Sequence, residues 1–555
     1  MISEIFQFIP KDKDIWNENL KDIQSLLEVV DDDSTPYASK YKAIETIKST
    51  IIDINNENED NETLIGILEC QLGITYIDTE EESIGFDTLL KGTEKLQEHK
   101  NLLIYIKALQ NIAVVHINRN DFTNGEECLL VTESLIKENR LKQQQQKDTK
   151  PLQSLEIMNY FYQAQVYGLM KNVKLSSGYC LKTLQLQVKL KEQFVYREWC
   201  KNALSVGDYY LDQFDFDRSK QCFLASFQVY RQMIADKSES NESSEEEQQE
   251  TEANIYLFIG KYFLRFLDTQ RAISLALNNQ DVKVTEELKT MVSQLRFQRT
   301  DVEDLFPDLG DLNQVSTHLG YKVDLFKVQN FEQARDIFLK SQHFLNKAKK
   351  YYQLDGFVTE YVDLMEMHSD LYKSLLAFEG NPGRQVSIQK KRLELLEPLV
   401  KELNPQYYFS ALQTIYFRLA EINGEISKIY EIKCSDMREI TVYNEFVFKS
   451  IQYSKQFLAN YNQKGQDKDA AIRDDIQAYI VCKLQLAIMY RNVKGMNKLV
   501  HDNLTMALSV FKSVIKDIED HNQYGDPTRF STEMNLCKEM IKLLPEKINF
   551  LANKI

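Results

Sequence analysis

Apolar residues recur along most of this chain at alternating steps of three and four positions, the spacing of one face of an α-helix. The stretch from Phe331 to Leu375 contains two such stripes, which Asp355 and Gly356 separate, and a turn at 380–383 ends the second. An apolar stripe stays exposed to water unless a neighbouring helix covers it. We therefore predict two helices that pack as an antiparallel hairpin.

The amino-terminal part repeats one pattern of small and bulky positions four times. In the first copy, Gly73 and Tyr76 belong to one helix, and Gly85 and Leu89 belong to the next. This spacing is typical of a tetratricopeptide helix pair, whose two helices cross closely at the small residues. The other copies carry related residues: Ala113, His116, Gly125 and Leu129; Ala164, Tyr167, Ser176 and Cys180; Gly207, Tyr210, Ser219 and Phe223. A capping box at Thr79–Glu82 is expected to begin the second helix of the first pair.

Repeated helix pairs bury their faces only by stacking, so we predict an all-α fold, a tetratricopeptide-like right-handed α-solenoid of antiparallel helix pairs. An acidic tract at 236–252 has eight acids, one lysine and no large apolar residue, so we expect it to be disordered. Helices are expected around 255–277 and 282–299. The predicted organisation is therefore an amino-terminal half (1–235), an acidic insert with linker helices (236–330) and a carboxyl-terminal half (331–555).

Composition narrows the function classes. The net charge of −16 disfavours nucleic acid and anionic membranes as partners, although acidic residues also simply keep a helical protein in solution. The eight cysteines form no CxxC pair and are expected to be reduced core thiols of a cytosolic protein. No signal peptide and no apolar run of membrane-spanning length is recognisable, so no membrane insertion is expected.

No motif for catalysis, nucleotide binding or metal binding occurs in the sequence. His368 lies on an apolar stripe, and a hydrogen-bonded core histidine explains it better than a metal ligand because no second histidine or cysteine stands three or four residues away. His116 is expected to pack between helices. We therefore expect no enzyme, no cofactor, no metal and no small-molecule substrate.

The remaining candidate is the groove that a solenoid forms along its first helices. In tetratricopeptide pairs, groove positions lie one residue after the small position and two or three residues before it. This rule selects Phe161 and Leu204 as apolar positions and Tyr162, Gln165, Ser205 and Asp208 as candidate partner-binding residues. Gln187, which lies just beyond the second helix of the third pair, is the fifth candidate. An equally good alternative is that these polar residues are ordinary solvated positions.

Five segments resemble the KIF-binding protein family, whose members bind kinesin motor domains. They are Asp355–Thr359, Leu395–Leu399, Leu403–Tyr408, Ile77–Glu81 and Ala164–Tyr167. The resemblance implies a cytoplasmic, non-enzymatic regulator that acts on the cytoskeleton. Its concave groove would hold the motor domain on its microtubule-binding side and so control microtubule attachment and transport. We expect a monomer.

Two alternatives stay open. A tetratricopeptide adaptor for chaperones would grip an acidic carboxyl-terminal tail with lysine and asparagine side chains. Cys70 and Ile74 occupy the places where the first pair would need them, which counts against this reading. A scaffold for organelles or the cytoskeleton without a motor partner is the other alternative.

Overall fold

The computed structural model describes residues 8–9, 14–32, 34–56, 61–142, 150–190, 194–236, 244–278, 303–312, 314–315, 319, 327–432, 436–462, 468–522 and 529–555. Throughout this part of the chain the regular structure is helical, and no β-strand forms. None of the helices described there is long and apolar enough to cross a membrane. The chain divides into two compact units, each of which is built from consecutive helices.

The first unit comprises Met1–Ser243 together with Asp301–Gly320. Its helices pack in sequence order, and the pairs α3/α4, α5/α6, α7/α8 and α9/α10 correspond to the four sequence repeats. The bounds are α1 Asp14–Glu28, α2 Ala38–Asn55, α3 Glu62–Asp78, α4 Glu82–Lys95, α5 Leu103–Asn118, α6 Phe122–Lys142, α7 Lys150–Leu169, α8 Val173–Leu190, α9 Tyr196–Asp212 and α10 Phe216–Ala235.

The four pairs share one turn geometry. In each turn a residue with positive φ is followed by an amide that donates a 2.8 Å hydrogen bond to the carbonyl of the repeat's tyrosine or histidine. This bond spans five residues, as in a Schellman motif, and reverses the chain within a few residues. The repetition of this backbone arrangement supports the sequence repeat. The positive-φ residues are Glu80, Asn120, Lys171 and Phe214.

The small residues of the first pair lie where α3 and α4 cross. A Cβ atom on Gly73 would approach Leu89 Cγ to 2.7 Å and the carbonyl oxygen of Gly85 to 2.9 Å. A Cβ atom on Gly92 would approach the backbone nitrogen of Cys70 to 2.7 Å. The sequence-based expectation of a close crossing at Gly73 is therefore confirmed.

We expect Gly73→Ala to lower the free energy of unfolding by about 1–3 kcal/mol, because the methyl group overpacks this crossing. Gly178→Ala in α8 is the matched control. A Cβ atom there has no heavy atom within 4 Å, so the exchange should stabilise the helix by about 0.5–1 kcal/mol. Urea unfolding followed by circular dichroism measures both variants. Equal effects of the two exchanges would refute a tight α3/α4 crossing.

The predicted capping box at Thr79 is wrong. The Thr79 hydroxyl donates instead to the carbonyl oxygens of Thr75 and Tyr76, at 3.2 and 3.0 Å, and so binds the carboxyl end of α3. Helix α4 begins at Glu82 without a side-chain cap. The reason is that the turn places Thr79 before the positive-φ residue, where only carbonyl groups of the preceding helix lie within reach.

The second unit comprises Ser244–Thr300 and Tyr321–Ile555. It again stacks helix pairs, chiefly α11/α12, α13/α14, α16/α17 and α19/α20, and α21 packs on α20. The bounds are α11 Glu245–Asn278, α12 Phe331–Tyr351, α13 Val358–Leu376, α14 Pro382–Leu396, α15 Leu399–Glu402, α16 Phe409–Glu431, α17 Met437–Asn460, α18 Lys468–Asp474, α19 Ile476–Asn492, α20 Asn497–Asn522 and α21 Ser531–Ala552. The two helices predicted over 331–375 are confirmed as α12 and α13. They contact each other, but α12 packs chiefly on α11 and α13 chiefly on α14.

The acidic tract differs from the expectation of disorder. Residues Glu245–Glu252 form the first turns of α11 and belong to the second unit. Ser244 and Glu247 form a reciprocal cap, in which the Ser244 amide donates to Glu247 Oε2 at 3.0 Å and the Glu247 amide donates to Ser244 Oγ at 3.2 Å. This cap starts a helix that apolar residues then bury from Ala253 onwards. Residues 237–243 and the helix expected over 282–299 lie outside the described residues.

The seven described cysteines are free thiols, and five of them are buried. Burial raises the pKa of Cys70 and of Cys200 to about 12, so these thiols stay protonated near neutral pH. Cys434 lies outside the described residues. His116 lies in the last turn of α5, where its Nδ1 is 2.9 Å from Asp121 Oδ2 and its ring meets the Phe86 ring of α4 edge to face.

Candidate functional site

A groove of about 410 Å³ opens in the first unit where α9 follows the α7/α8 pair. We call it the α7–α9 groove. Among the described residues, its polar lining comes from neutral side chains and one carboxylate, and its apolar lining combines aromatic rings with aliphatic side chains. The residues used below are Phe161 and Gln165 on α7, Ser176, Ser177, Cys180, Leu184 and Gln187 on α8, Phe194 and Val195 before α9, and Glu198, Trp199, Asn202 and Ser205 on α9.

Three of the five candidate residues meet in this groove. Gln165, Gln187 and Ser205 all line it, although they come from three different helices. Phe161, an apolar groove position in the sequence analysis, lines it as well and is 37% exposed. The rule that counts from the small position of each pair thus selected Phe161, Gln165 and Ser205, which the fold brings together, and Gln187 was selected separately.

Tyr162 and Asp208 do not line the groove. Tyr162 is half-buried and packs against the cluster formed by Ala113, Leu129, Val166 and Tyr167, and burial raises its pKa. Asp208 is half-buried farther along α9. Leu204, assigned to the groove from its spacing, is 2% exposed and belongs to the core. Neighbouring residues on a helix point about 100° apart, so a rule that selects adjacent positions takes core residues along with groove residues.

Several lining residues were missed in the sequence. Glu198 and Asn202 lie seven and three residues before Ser205, which places all three on one stripe of α9. Extending the helical period from Ser205 would have found them. Ser176 and Ser177 were not found because the rule counts along the first helix of each pair, whereas both serines lie on the second helix, α8. The Ser176 hydroxyl donates to the carbonyl oxygen of Ala164 at 2.8 Å and so ties α8 to α7.

A polar network fixes the helices behind the groove. The rings of Tyr167 on α7 and Tyr179 on α8 stack at 5.6 Å with 8° between their planes. Their hydroxyls donate to two carboxylates of α6, Glu126 at 2.7 Å and Glu133 at 3.2 Å. Burial, with the Glu133 charge beside it, raises the pKa of Tyr179 to about 12. These tyrosines therefore stay neutral and keep donating at physiological pH.

The electrostatics of the groove favour a cationic or neutral partner. Glu198 is exposed and is the one charged side chain among the described residues of the lining. Burial raises the pKa of Cys180 to about 11, so this thiol adds no charge. Aromatic rings next to a carboxylate suit lysine and arginine side chains, which can pair with the acid while their stems pack on the rings.

The second unit contains a larger cavity of about 700 Å³, which we call the carboxyl-terminal cavity. Its lining includes four acids and two bases: Asp370, Glu421, Asp474, Asp475, Lys373 and Arg418. Lys373 pairs with Glu421 at 3.1 Å, and Arg418 pairs with Asp370 and with nearby Glu366. The bases are thus already neutralised, and the cavity presents an excess of negative charge beside the rings of Phe409, Phe417 and Phe457. The sequence analysis did not identify this cavity, because its residues come from separate helices and form no motif.

Glu366 on α13 is half-buried and pairs with Arg418 of this cavity. Burial raises its pKa from the ordinary 4.5 to about 7, although Arg418 opposes the shift. In the folded chain the carboxyl keeps its proton up to about pH 7, whereas the unfolded chain releases it near 4.5. Unfolding therefore releases a proton in this window, and the free energy of unfolding falls as the pH rises from 4.5 to 7.

We expect Glu366→Gln to reduce the pH-dependent fall in the free energy of unfolding by about 1–3 kcal/mol, because glutamine is neutral in both the folded and the unfolded chain. Urea unfolding at pH 5 and at pH 7.5 measures the difference. Glu394→Gln, at an exposed position of α14, is the control and should keep the wild-type slope. An unchanged slope in Glu366→Gln would show that this carboxyl is ionised in the folded chain.

Histidine and metal chemistry add nothing to the site. His368 is 4% exposed, as a core position requires, and burial lowers its pKa to about 4. The expected hydrogen bonds are incomplete, because its Nε2 has no partner among the described residues. Within the same residues, no group of three or more histidine, cysteine or acidic side chains is placed to hold a metal ion.

Comparison with known sequences assigns a family. The family described as "KIF-1 binding protein C terminal" matches residues 197–551. A protein of Dictyostelium discoideum named KIF-binding protein is 36% identical, over 97% of this chain and 97% of the relative. Proteins of the same name from Xenopus tropicalis and Gallus gallus are each 26% identical, over 88% and 95% of this chain and 85% and 95% of their own length.

Comparison with solved structures supports the fold. A structure titled "Kinesin binding protein (KBP)" superimposes with a TM-score of 0.64 and 20% identity, and the alignment covers 97% of this chain and 99% of the other. At this identity the likeness shows a shared helical solenoid architecture. The all-α, tetratricopeptide-like architecture expected from the repeats is therefore confirmed.

Proposed function

The chain belongs to the KIF-binding protein family, and from this premise we propose that it binds a kinesin motor domain in the α7–α9 groove. The observation that carries the proposal is the 36% identity, over nearly the whole chain, to a relative named for binding a kinesin-family protein. Binding there controls whether the motor attaches to microtubules. The chain thus acts as a non-enzymatic regulator of transport and cytoskeletal organisation, in the cytoplasm and as a monomer.

Charge supports this choice of partner. The chain carries a net charge of −16. Beside their aromatic rings, the groove presents one acid, Glu198, and the carboxyl-terminal cavity presents four. A motor surface that docks on an acidic microtubule must itself be basic, so the same surface is attracted to this chain. Complementary charge of this kind raises the rate of encounter, and dissolved salt reduces the effect. Competition with the microtubule for one motor surface follows from these charges.

Microtubule co-sedimentation tests the proposal. A purified kinesin motor domain that pellets with microtubules should move to the supernatant when this chain is added in excess. The association rate of motor and chain should fall as the salt concentration rises. If saturating chain leaves the pelleted fraction of every motor domain tried unchanged, the proposal fails.

The chaperone-adaptor alternative gains nothing from the structure. Cys70 and Ile74, which hold the places of the required lysine and asparagine, are 0% and 1% exposed. Side chains in these positions cannot reach a peptide carboxylate in the groove. A peptide that ends in acidic residues should show negligible heat of binding in calorimetry, whereas micromolar affinity would revive that alternative.

A further inference from the structure

A short segment of the chain returns to the first unit after α11. Residues Glu303–Gly310, which we call the clasp, belong to the first unit, although α11 before them and α12 after them belong to the second. The clasp contains one short 3-10 turn, Pro307–Leu309. So short a turn has few hydrogen bonds of its own, and contacts with the helices beneath must hold it in place.

Two glutamines of the first unit bind the backbone of the clasp. Gln221 on α10 makes a paired contact: its Nε2 donates to the carbonyl oxygen of Glu303 at 3.1 Å, and its Oε1 accepts from the amide of Leu305 at 2.7 Å. Gln185 on α8 donates to the carbonyl oxygen of Leu305 at 2.8 Å. Each partner lies 82 to 120 residues away in sequence. The Gln221 amide thus satisfies both a donor and an acceptor of the clasp backbone, as the carbonyl and NH₂ groups of a glutamine allow.

The side chains of the clasp reach the wall of the α7–α9 groove. Leu305 and Phe306 are 3% and 2% exposed. The Phe306 ring meets the indole of Trp199 edge to face at 5.7 Å, a favourable aromatic geometry. Trp199 lines the groove and also donates to the carbonyl oxygen of Leu184, another lining residue, at 3.4 Å. Phe306 therefore packs on a ring that the candidate binding site uses.

Charge across the edge of the clasp is complementary. A cavity of about 550 Å³ is lined on the helix side by Arg140, Glu156, Lys182 and Lys189 and on the clasp side by Glu303, Asp304 and Asp308. Arg140 pairs with Glu156, so the two lysines supply the positive charge that faces the clasp. Opposite charges facing one another across a wet cavity attract over several ångströms, and salt weakens the attraction. The acidic clasp thus lies on one of the basic surfaces of a chain that is acidic as a whole.

We propose that the clasp is an internal ligand of the first unit and that Phe306 is a positioning residue, which holds Trp199 in the conformation that lets the α7–α9 groove bind its partner. The coupling to partner binding rests on the proposed function. Docking of the clasp itself does not. A chain whose clasp has undocked retains its helices but presents a displaced groove wall.

Tryptophan fluorescence tests the docking without any partner. The chain has two tryptophans, Trp16 and Trp199, so Trp16→Phe leaves Trp199 as the single emitter. In that background the double variant Gln185→Ala with Gln221→Ala should shift Trp199 emission to longer wavelength, because water reaches the indole. Gln232→Ala, at an exposed site on α10, should leave the emission unchanged. Gln221→Glu keeps the acceptor for Leu305 and should give an intermediate shift. Unchanged emission in the double variant would refute the proposal that the two glutamines hold the clasp on the first unit.

Affinity for the motor domain tests the coupling. The double variant and Phe306→Ala should each bind it about tenfold more weakly than the parent chain, a difference of about 1.4 kcal/mol. Far-ultraviolet circular dichroism checks that both variants keep their helices, and if Phe306→Ala does not fold, the double variant decides. If the Trp199 emission of the variants shifts but their affinity for the motor domain equals that of the parent chain, Phe306 does not position the groove for binding. The parent chain could bind no motor domain while the double variant still shifts the Trp199 emission. That result would refute the proposed function but would support docking of the clasp.

Discussion

Replacing Arg392 by alanine is expected to lower the free energy of unfolding by about 3 kcal/mol, the low end of the range for breaking a buried ion pair. The Arg392 side chain is 0% exposed. It donates to Gln389 Oε1 at 2.8 Å and to Ser369 Oγ at 3.2 Å, and its guanidinium lies 3.5 Å from Glu425. Alanine removes these hydrogen bonds and leaves a cavity. The low end applies because Glu425 is 33% exposed and water can still solvate it.

Two further variants make this result interpretable. Arg392→Met fills most of the volume and should lose less stability than alanine does, because packing is kept while the buried charge disappears. Lys391→Ala removes a cation from the same helix, α14, but this lysine pairs with Glu394 in solvent, so the unfolding midpoint should not move. Chemical unfolding measures all three. Similar losses for Arg392→Ala and Lys391→Ala would show that burial of the guanidinium does not matter.

Replacing Ser205 by arginine is expected to weaken motor-domain binding at least tenfold, about 1.4 kcal/mol or more. Ser205 is exposed and lines the α7–α9 groove. An arginine there both fills the groove and sets a positive charge against a basic partner surface, and like charges facing each other in an interface are costly. The stability of the chain should not change, because the side chain points to solvent. Titration of a labelled motor domain measures the dissociation constant.

Ser25→Arg is the matched control for this variant. It adds the same charge to the first unit, but Ser25 lies at an exposed position of α1, which contributes no residue to the groove. Its affinity for the motor domain should equal that of the unmodified chain. If Ser25→Arg and Ser205→Arg weaken binding equally, net charge alone governs the affinity, and the groove is not the binding surface.

The fold could be predicted from the sequence in those places where a single local rule determines the structure. Gly73 and Gly85 mark a helix crossing because any side chain there collides with the facing helix. Apolar spacing located α12 and α13 because a helix buries one stripe. The acidic start of α11 carries no such stripe. A terminal cap formed by Ser244 and Glu247 initiates that part of the helix, so composition alone pointed to disorder.

The candidate site was only partly readable. Counting from the small residue of each pair found Gln165 and Ser205, because a helix fixes which side chains share a face. Leu204 was assigned to the same face although it lies one position from Ser205 and is buried. Phe306 gave no signal, since an isolated aromatic residue between Leu305 and Pro307 follows neither a helical nor a strand period. Its position depends on contacts with helices that lie 82 or more residues earlier in the sequence.

Amide hydrogen exchange of the chain, alone and in complex with a kinesin motor domain, tests the central claim most directly. Binding in the α7–α9 groove predicts slower exchange in the segments that line it: the second half of α7, the length of α8 and the start of α9. The exposed face of α1 should exchange at the same rate in both states. A complex in which the motor domain is bound but α7, α8 and α9 exchange as in the free chain would contradict the account.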